Sequence, residues 1–138
     1  MRQFYIFKIK PEYAILTKEN PYHLFHTLES IYYINQEELY LGRDLFERLI
    51  DSFNPKKMDI ELFKRYKENY FYTKYENVHQ IYDFYRQENT KLSVNRTYLE
   101  IKSSIPKPTF FKDLKEEKNL FFCDFENKDY FWLEKIKI

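Results

Sequence analysis

Three polar residues of the chain lie three positions apart and could bind a metal ion. His23, His26 and Glu29 would share one face of a helix at this spacing, and zinc accepts imidazole together with carboxylate. The sequence indicates no fourth ligand, and no cysteine spacing of a structural zinc site is present. We favour the alternative, a polar helix face opposite Leu24 and Leu28, and we expect no metal and no other cofactor.

A nucleophilic cysteine is a second possibility. Cys123 is the single cysteine of the chain, and a catalytic role would require a lowered pKa and a neighbouring base such as His79. Free cysteine is among the most buried residue types, and Cys123 lies within an aromatic strand, so we predict that it is buried and inert.

Two further kinds of catalytic site lack support in the sequence. The acidic pairs Glu37–Glu38 and Glu116–Glu117 are adjacent in the chain, which does not place two carboxylates across a substrate. Gly42 is the only glycine, whereas nucleotide-binding loops require several. We therefore predict that the protein is not an enzyme.

Single-stranded nucleic acid is the main alternative ligand, because aromatic rings and cations alternate along the predicted sheet. Stacking rings and phosphate-binding cations would come from Tyr70, Tyr72, Phe84 and Tyr98 with Lys74, Arg86, Arg96 and Lys102. Acidic residues are interleaved with these cations, at Glu68, Glu76, Asp83, Glu88 and Glu100. The phosphate contribution would therefore be weak, and we favour an ordinary half-buried sheet with no direct contact to nucleic acid.

The composition agrees with a protein-binding role. The 138 residues carry 23 basic and 22 acidic side chains, for a net charge of +1, which argues against a general polyanion binder. Aromatic residues make up 21% of the chain, and a domain of this size leaves some of them exposed, as in protein interfaces. A codon bias toward Lys, Asn, Ile, Phe and Tyr would also produce this composition.

The length predicts one domain, and we expect a monomer in the cytoplasm. The sequence contains no apolar run long enough to cross a membrane and no signal-peptide pattern. A single cysteine cannot form an internal disulfide, which is typical of a reducing compartment.

Hydrophobic periodicity and turn signals predict an α+β fold, a single compact domain of largely antiparallel sheet packed with four to five short helices. The predicted elements are a strand over 3–10, helices over 12–18, 21–33, 44–53 and 59–66, strands over 70–75, 80–85 and 92–102, a helix over 106–117 and a hairpin of 120–125 with 130–136. In the first strand, alternation places Phe4 and Ile6 on one face and Tyr5, Phe7 and Ile9 on the other.

The predicted helix 44–53 has two distinct faces. Its apolar stripe comprises Leu45, Phe46, Leu49, Ile50 and Phe53, and its polar face comprises Asp44, Glu47, Arg48 and Asp51. Asn54-Pro55 is expected to end this helix, and Asp59 to cap the next one. The rings predicted to point inward are Phe4, Phe25, Phe46, Phe63, Phe111 and Phe125.

Read from end to end, the chain resembles the family of sporulation inhibitors of replication (SirA), small proteins of Gram-positive bacteria. The likeness lies in the opening strand and helix start over 5–14, the helix ending at Ile31-Tyr32, and the Asn54-Pro55 break. It is clearest in the closing hairpin over 120–133, where an Asp-Phe turn precedes a Trp-Leu strand.

The resemblance implies a non-enzymatic inhibitor of replication initiation that binds the N-terminal domain of the initiator DnaA. Contacts in the family come from the first helix and from the polar-faced helix before the proline break. The residues that this assigns to partner binding are Tyr13, Leu16 and Thr17, with Glu47, Arg48 and Asp51. Thr17-Lys18-Glu19-Asn20 stands where the family pattern has an aromatic residue followed by Gly-Arg.

On the residues alone, two positions of the Tyr13 ring are open: exposed on its helix, or folded onto the sheet beside Phe7. The resemblance favours the exposed position, because exposed tyrosines are common anchors of protein interfaces.

Overall fold

The computed structural model describes residues 1–34 and 39–137, which form an antiparallel sheet with helices on both faces. This confirms the predicted α+β class. The strands are β1 (Arg2–Ile9), β2 (Ile50–Asp51), β3 (Tyr72–Tyr75), β4 (Val78–Asp83), β5 (Glu88–Val94), β6 (Leu99–Ser103), β7 (Leu120–Asp124) and β8 (Asp129–Trp132). The helices are α1 (Pro11–Thr17), α2 (Pro21–Tyr32), α3 (Leu39–Leu49), α4 (Pro55–Tyr66) and α5 (Phe111–Leu114), and a short 3-10 helix follows at Leu133–Lys135. No helix in these ranges is long and apolar enough to cross a membrane.

Strand β1 lies inside the sheet, whose order is β3-β4-β5-β6-β1-β7-β8. One edge of β1 pairs with β6 from Arg2 to Ile6, and beyond that point with the two-residue strand β2. Its other edge pairs with β7 from Tyr5 to Lys8. The first and last parts of the chain therefore meet at the centre of the sheet.

The side chains of β1 alternate between two buried clusters, as the sequence predicts. Phe4 and Ile6 lie on a first face, which α4 and α5 cover with Leu62 and Phe111 among others. The rest of this cluster includes Tyr72, Ile81, Leu92, Leu99, Ile101, Leu114, Phe122 and Leu133.

Phe7 and Ile9 lie on the second face of the sheet, under α1, α2 and α3. The three helices contribute Ala14, Leu24, Phe25, Leu28 and Leu49 to this cluster, and the hairpin contributes Phe121, Cys123, Phe125 and Trp132. Toward β3 and β4 this face is open, since Tyr75 and Tyr82 are exposed there.

The predicted helix 44–53 is wrong at both ends. Helix α3 begins at Leu39 and ends at Leu49, and Ile50–Asp51 form strand β2 beside the end of β1. Leu45, predicted in the apolar stripe, is 41% exposed, whereas Phe46 and Leu49 of the same helix pack in or against the second cluster. The pairing of Ile50 and Asp51 with residues 8 and 9 is a tertiary contact, which local periodicity cannot predict.

Helix α4 begins four residues before the predicted position. Asn54 accepts a hydrogen bond at Oδ1 from the Lys57 amide (3.2 Å), and Pro55 takes the first helical position. The Asn54-Pro55 signal therefore starts α4 and does not end the preceding helix, which stops at Leu49. Asp59, the predicted cap, lies within α4 and binds a buried histidine. Phe63, predicted to be inward, is 46% exposed.

Two other elements differ from the sequence prediction, and the closing hairpin agrees with it. The predicted strand over 92–102 is two strands, β5 and β6, which pair with each other. The last helix has only four residues, Phe111–Leu114. The closing hairpin of β7 and β8 is confirmed.

A buried polar chain links α4 to the edge of the sheet. His79 has no exposed surface; its Nε2 lies 2.7 Å from Asp59 Oδ1, and its Nδ1 lies 2.6 Å from the Tyr72 hydroxyl. Burial lowers the pKa of His79 although the Asp59 carboxylate opposes this. Neutral His79 therefore donates through Nε2–H to Asp59 and accepts at Nδ1 from Tyr72, whose pKa burial raises to about 12.

We predict that replacing His79 with Gln flattens the pH dependence of stability between about pH 7 and 5. The unfolded chain takes up a proton at the ordinary histidine pKa, whereas buried His79 resists it. The wild-type free energy of unfolding therefore falls as the pH falls through this window. Urea denaturation at several pH values measures this, with the exposed His23→Gln variant as control. Equal slopes for wild type and His79→Gln would contradict the prediction.

Among residues 1–34 and 39–137, four residues other than glycine have a left-handed backbone. They are Glu76, Gln87, Asn119 and Lys128, with φ between 53° and 63°. The single glycine, Gly42, is not at a left-handed position but lies within α3. An added Cβ there would meet Ile34 Cδ1 at 2.7 Å. Such φ values cost about 1 kcal/mol or more in a residue with a Cβ.

Glu76→Gly is expected to stabilise the protein by about 0.5 kcal/mol, because relief of the turn strain exceeds the added entropy of the unfolded chain. Thr73→Gly, in the extended strand β3 before this turn, is the matched control and should destabilise by about 0.5–1 kcal/mol. Chemical denaturation measures both changes. A loss of stability in Glu76→Gly as large as that in Thr73→Gly would show that the turn is not strained.

Candidate functional site

Helix α1 directs two large aliphatic side chains into solvent. Of its seven residues only Ala14 is buried, whereas Ile15 and Leu16 are 77% and 75% exposed. An exposed apolar pair on an ordered helix needs an explanation, because folding alone would not leave both outside. The pair is a candidate contact surface for another protein.

Both ends of α1 are tied to the body of the protein. The Lys10 amide donates to the carbonyl of Leu49, the last residue of α3 (2.9 Å). After α1, the Lys18 ammonium pairs with Glu134 and lies 4.7 Å from the centre of the Trp132 ring. Lys135 Nζ also donates to the Lys18 carbonyl (2.9 Å). Helix α1 is therefore held rigidly, which lowers the entropic cost of binding through its outer face.

The sequence left open whether the Tyr13 ring is exposed on its helix or folded onto the sheet beside Phe7, and the structure places it between these two positions. Its side chain is half-buried and packs against the second cluster, which contains Phe7. One turn later, Thr17 Oγ1 donates to the Tyr13 carbonyl (2.8 Å), so the hydroxyl is used within the helix. Tyr13 can anchor a partner only with the part of its ring that remains outside.

The end of α3 adjoins the start of α1 through the Lys10–Leu49 hydrogen bond. Glu47 and Arg48 are exposed there, and Arg48 pairs with Asp44 one turn earlier (2.8 Å). The two elements that carry predicted contact residues therefore belong to the same helical layer, over the second face of the sheet. We call Tyr13, Ile15, Leu16, Thr17, Glu47 and Arg48 the α1–α3 surface.

The sequence placed Asp51 on the polar face of a helix, and this prediction is wrong. Asp51 lies in β2, half-buried and directly opposite Lys8 of β1. Helix α3 ends two residues earlier, because the Leu49 carbonyl accepts from Lys10 and the chain then joins the sheet. Asp51 therefore does not extend the exposed row that Glu47 and Arg48 form.

Ile15 was missed by the reasoning from sequence, although the sequence contains a signal for it. A seven-residue helix buries one narrow stripe, and in α1 that stripe is occupied by Ala14 with part of Tyr13. The consecutive residues Ile15 and Leu16 cannot both follow that stripe. Two large aliphatic neighbours in so short a helix predict an exposed pair.

The metal and catalytic candidates are not assembled into sites. Within residues 1–34 and 39–137 no group of three potential ligands is close enough to hold a metal ion. Glu29 is instead bound to Lys128 (2.6 Å), and His23 and His26 are exposed. Cys123 is fully buried, and burial raises its pKa well above the ordinary thiol value, so it lacks thiolate character.

The acidic pairs likewise form no catalytic pair in the described part of the chain. Glu116 is bound to Arg65 (2.6 Å), and Glu117 pairs with Lys8 (3.2 Å). Glu37 and Glu38 lie outside the described residues.

The four rings proposed for stacking on nucleic acid do not form one exposed surface. Tyr72 is buried on the first face and bonded to His79, and Tyr98 is half-buried against the second cluster. Only Tyr70 and Phe84 of this set are exposed, and both contact the Phe71 ring. These four rings therefore do not form the stacking surface that the alternative of a single-stranded nucleic-acid ligand requires.

Comparison with known protein families identifies a match over nearly the whole chain. A family model described as sporulation inhibitor of replication protein SirA matches residues 2–137. This confirms the resemblance seen in the sequence. No curated protein sequence gives a significant match.

We predict that Ile15→Ala and Leu16→Ala each change the free energy of unfolding by less than about 0.5 kcal/mol, because neither side chain contributes to the core. Ala14→Asp is the matched contrast and should destabilise by about 2 kcal/mol or more, since it buries a carboxylate. Chemical denaturation measures all three. A large loss of stability in either aliphatic variant would show that α1 needs that residue for folding and not for contact.

Proposed function

Because this chain belongs to the SirA family of sporulation inhibitors of replication, we propose that it binds the N-terminal domain of the replication initiator DnaA. The α1–α3 surface makes the contact, with Tyr13, Leu16 and Thr17 from α1 and Glu47 and Arg48 from α3. The protein acts by binding, without catalysis or cofactor, as a monomer in the cytoplasm.

The observation that carries this proposal is the exposed aliphatic pair of α1. Ile15 and Leu16 each present about three quarters of their surface to solvent, and the outer part of Tyr13 lies on the same short helix. Interfaces draw most of their binding free energy from a few fully buried residues, tyrosine among the most common. Burial of a Leu or Ile side chain contributes about 1.5–3 kcal/mol, so two of them are enough to anchor a small contact.

Charged residues surround this apolar centre. Glu12 and Glu19 flank it on and after α1, and Glu47 and Arg48 extend it on α3; all four are exposed. Exposed charges at the border of an interface contribute little to affinity, but they set orientation and the rate of association. The surface thus has the apolar centre and polar border of a protein-binding site.

Inhibition would follow from occupancy alone. A protein that covers the N-terminal domain of the initiator keeps that domain from its normal partners, and the inhibited fraction equals the bound fraction. No group on the α1–α3 surface needs to react, which agrees with the buried state of Cys123 and the ion-paired state of Glu29.

Leu16→Ala and Tyr13→Ala should each weaken binding to the purified initiator domain by more than about 1 kcal/mol, or about fivefold in Kd. Isothermal titration calorimetry measures the change. Leu16→Ala is the sharper test, because Leu16 lies outside the core and its loss does not alter folding. Tyr82→Ala, an exposed tyrosine of β4 on the open part of the sheet, is the control and should bind like wild type.

Two outcomes would contradict the proposal. One is the absence of any complex between the wild-type protein and the initiator domain at about 50 μM of each. The other is a normal affinity for a double variant that combines Ile15→Ala with Leu16→Ala, which would place the contact elsewhere on the molecule.

A further inference from the structure

A groove that contains four lysines runs between α4 and β3, on the first face of the sheet. Its volume is about 720 Å³. It is lined by Lys56, Asp59, Ile60, Phe63, Lys64, Lys67 and Lys74. We call it the lysine groove. Helix α4 packs on the first cluster and α1 on the second, so this groove and the α1–α3 surface lie on opposite layers of the molecule.

The floor of the lysine groove is apolar and open to solvent. Ile60 and Phe63 are 50% and 46% exposed, whereas Leu62, next to Phe63 on the same helix, is buried in the first cluster. Met58 and Tyr66 pack beside Leu62 from the inner side of α4. The core contact of α4 is thus complete without Ile60 and Phe63, whose exposed surface folding does not explain.

The walls of the groove are positively charged. In the described residues, no carboxylate forms an ion pair with any of the four lysines. Asp59 is the one acidic residue of the lining, and its carboxylate is turned inward to His79 Nε2 at 2.7 Å. The groove therefore concentrates free cations on a protein whose net charge is only +1.

The spacing along α4 sets the dimensions of a ligand. Lys56, Ile60, Phe63 and Lys67 follow one another at intervals of four, three and four residues, which is one stripe along a helix. At a rise of about 1.5 Å per residue, the two lysines that end the stripe are about 16 Å apart along the axis. The two apolar residues lie one turn apart between them.

We propose that the lysine groove binds an acidic amphipathic peptide segment of a second protein partner. Two apolar side chains of the segment, one helical turn apart, would pack on Ile60 and Phe63. Carboxylates on either side would reach Lys56 and Lys67, with Lys64 and Lys74 along the edges. The arrangement is the helix-in-groove mode of peptide recognition, with the apolar contact for affinity and the cations for orientation.

The apolar floor favours a peptide over a nucleic acid. Of the two floor residues only Phe63 offers a ring on which a base could stack, whereas binders of single strands stack successive bases on several rings. A nucleic acid would also leave half of the Ile60 side chain without an apolar partner. An acidic peptide complements both the charge and the apolar surface.

This interaction is separate from the proposed initiator contact and does not depend on it. Because the two surfaces lie on opposite layers, one protein molecule can bind both ligands at once. Variants of α4 should leave binding to the initiator domain unchanged, and Leu16→Ala should leave peptide binding unchanged. Failure of one proposal is therefore distinguishable from failure of the other.

Fluorescence anisotropy tests the proposal with the full chain and a labelled synthetic helix-forming peptide. The peptide carries two leucines one turn apart, flanked by glutamates, and a matched peptide carries serines in place of the leucines. We expect the leucine peptide to bind at least about fivefold more tightly than the serine peptide. Phe63→Ser and Lys67→Glu should each weaken its binding by about fivefold or more, and amide shifts in an NMR titration should concentrate in α4 and β3.

Two exposed residues on the open second face of the sheet provide matched controls. Tyr82→Ser and Lys91→Glu remove a ring and reverse a charge away from α4, and both should bind the leucine peptide like wild type. The thermal midpoint of Phe63→Ser is measured beside that of Tyr82→Ser, and Ile60→Ser replaces Phe63→Ser if the latter unfolds.

The proposal is overturned if the leucine and serine peptides bind equally, or if a thymidine oligonucleotide displaces the leucine peptide. It is also overturned if the α4 variants bind like wild type, or if no peptide binds at about 1 mM.

Discussion

Burial of strand β1 on both faces is the constraint on which the rest of the structure depends. Phe4 and Ile6 on one side, and Phe7 and Ile9 on the other, are each 7% exposed or less. A strand that is apolar on both sides requires a covering layer on each. Helices α4 and α5 supply one layer and α1, α2 and α3 the other. Each of these four side chains contributes about 1.5–3 kcal/mol on burial.

The two layers give the protein two independent outer surfaces. In each layer, one helix buries a narrow stripe and leaves large apolar residues outside: Ile15 and Leu16 on α1, and Ile60 and Phe63 on α4. The aromatic surplus of the composition is not concentrated at either place, because the exposed rings of Tyr70, Phe84 and Tyr85 instead contact Phe71. Three of the four large apolar residues that are exposed on α1 and α4 are aliphatic. Aromatic content alone therefore does not indicate the proposed binding surfaces.

Local signals failed where a tertiary contact competed with them. The apolar and polar spacing of residues 44–53 is helical, yet the helix ends at Leu49, because pairing of Ile50 and Asp51 with β1 replaces the helical hydrogen bonds. Asp59 has the residue type of a helix cap, but Asn54 already caps α4, and Asp59 is held by a histidine twenty positions later in the chain. In both cases a partner distant in sequence decided the outcome.

The sequence by itself determined the α+β class, the two-sided opening strand, the buried cysteine and the closing hairpin. The alternation of apolar and polar residues and the positions of turn residues are local properties of the sequence, so they predict strands and turns without knowledge of the tertiary contacts. Membership of the family was also readable from the order of these segments. Only the tertiary structure decided that Leu45 faces solvent, that Asp51 joins the sheet, and that Phe63 lies among free lysines. Exposure depends on what covers a side chain, and the covering elements come from parts of the chain that no local pattern connects.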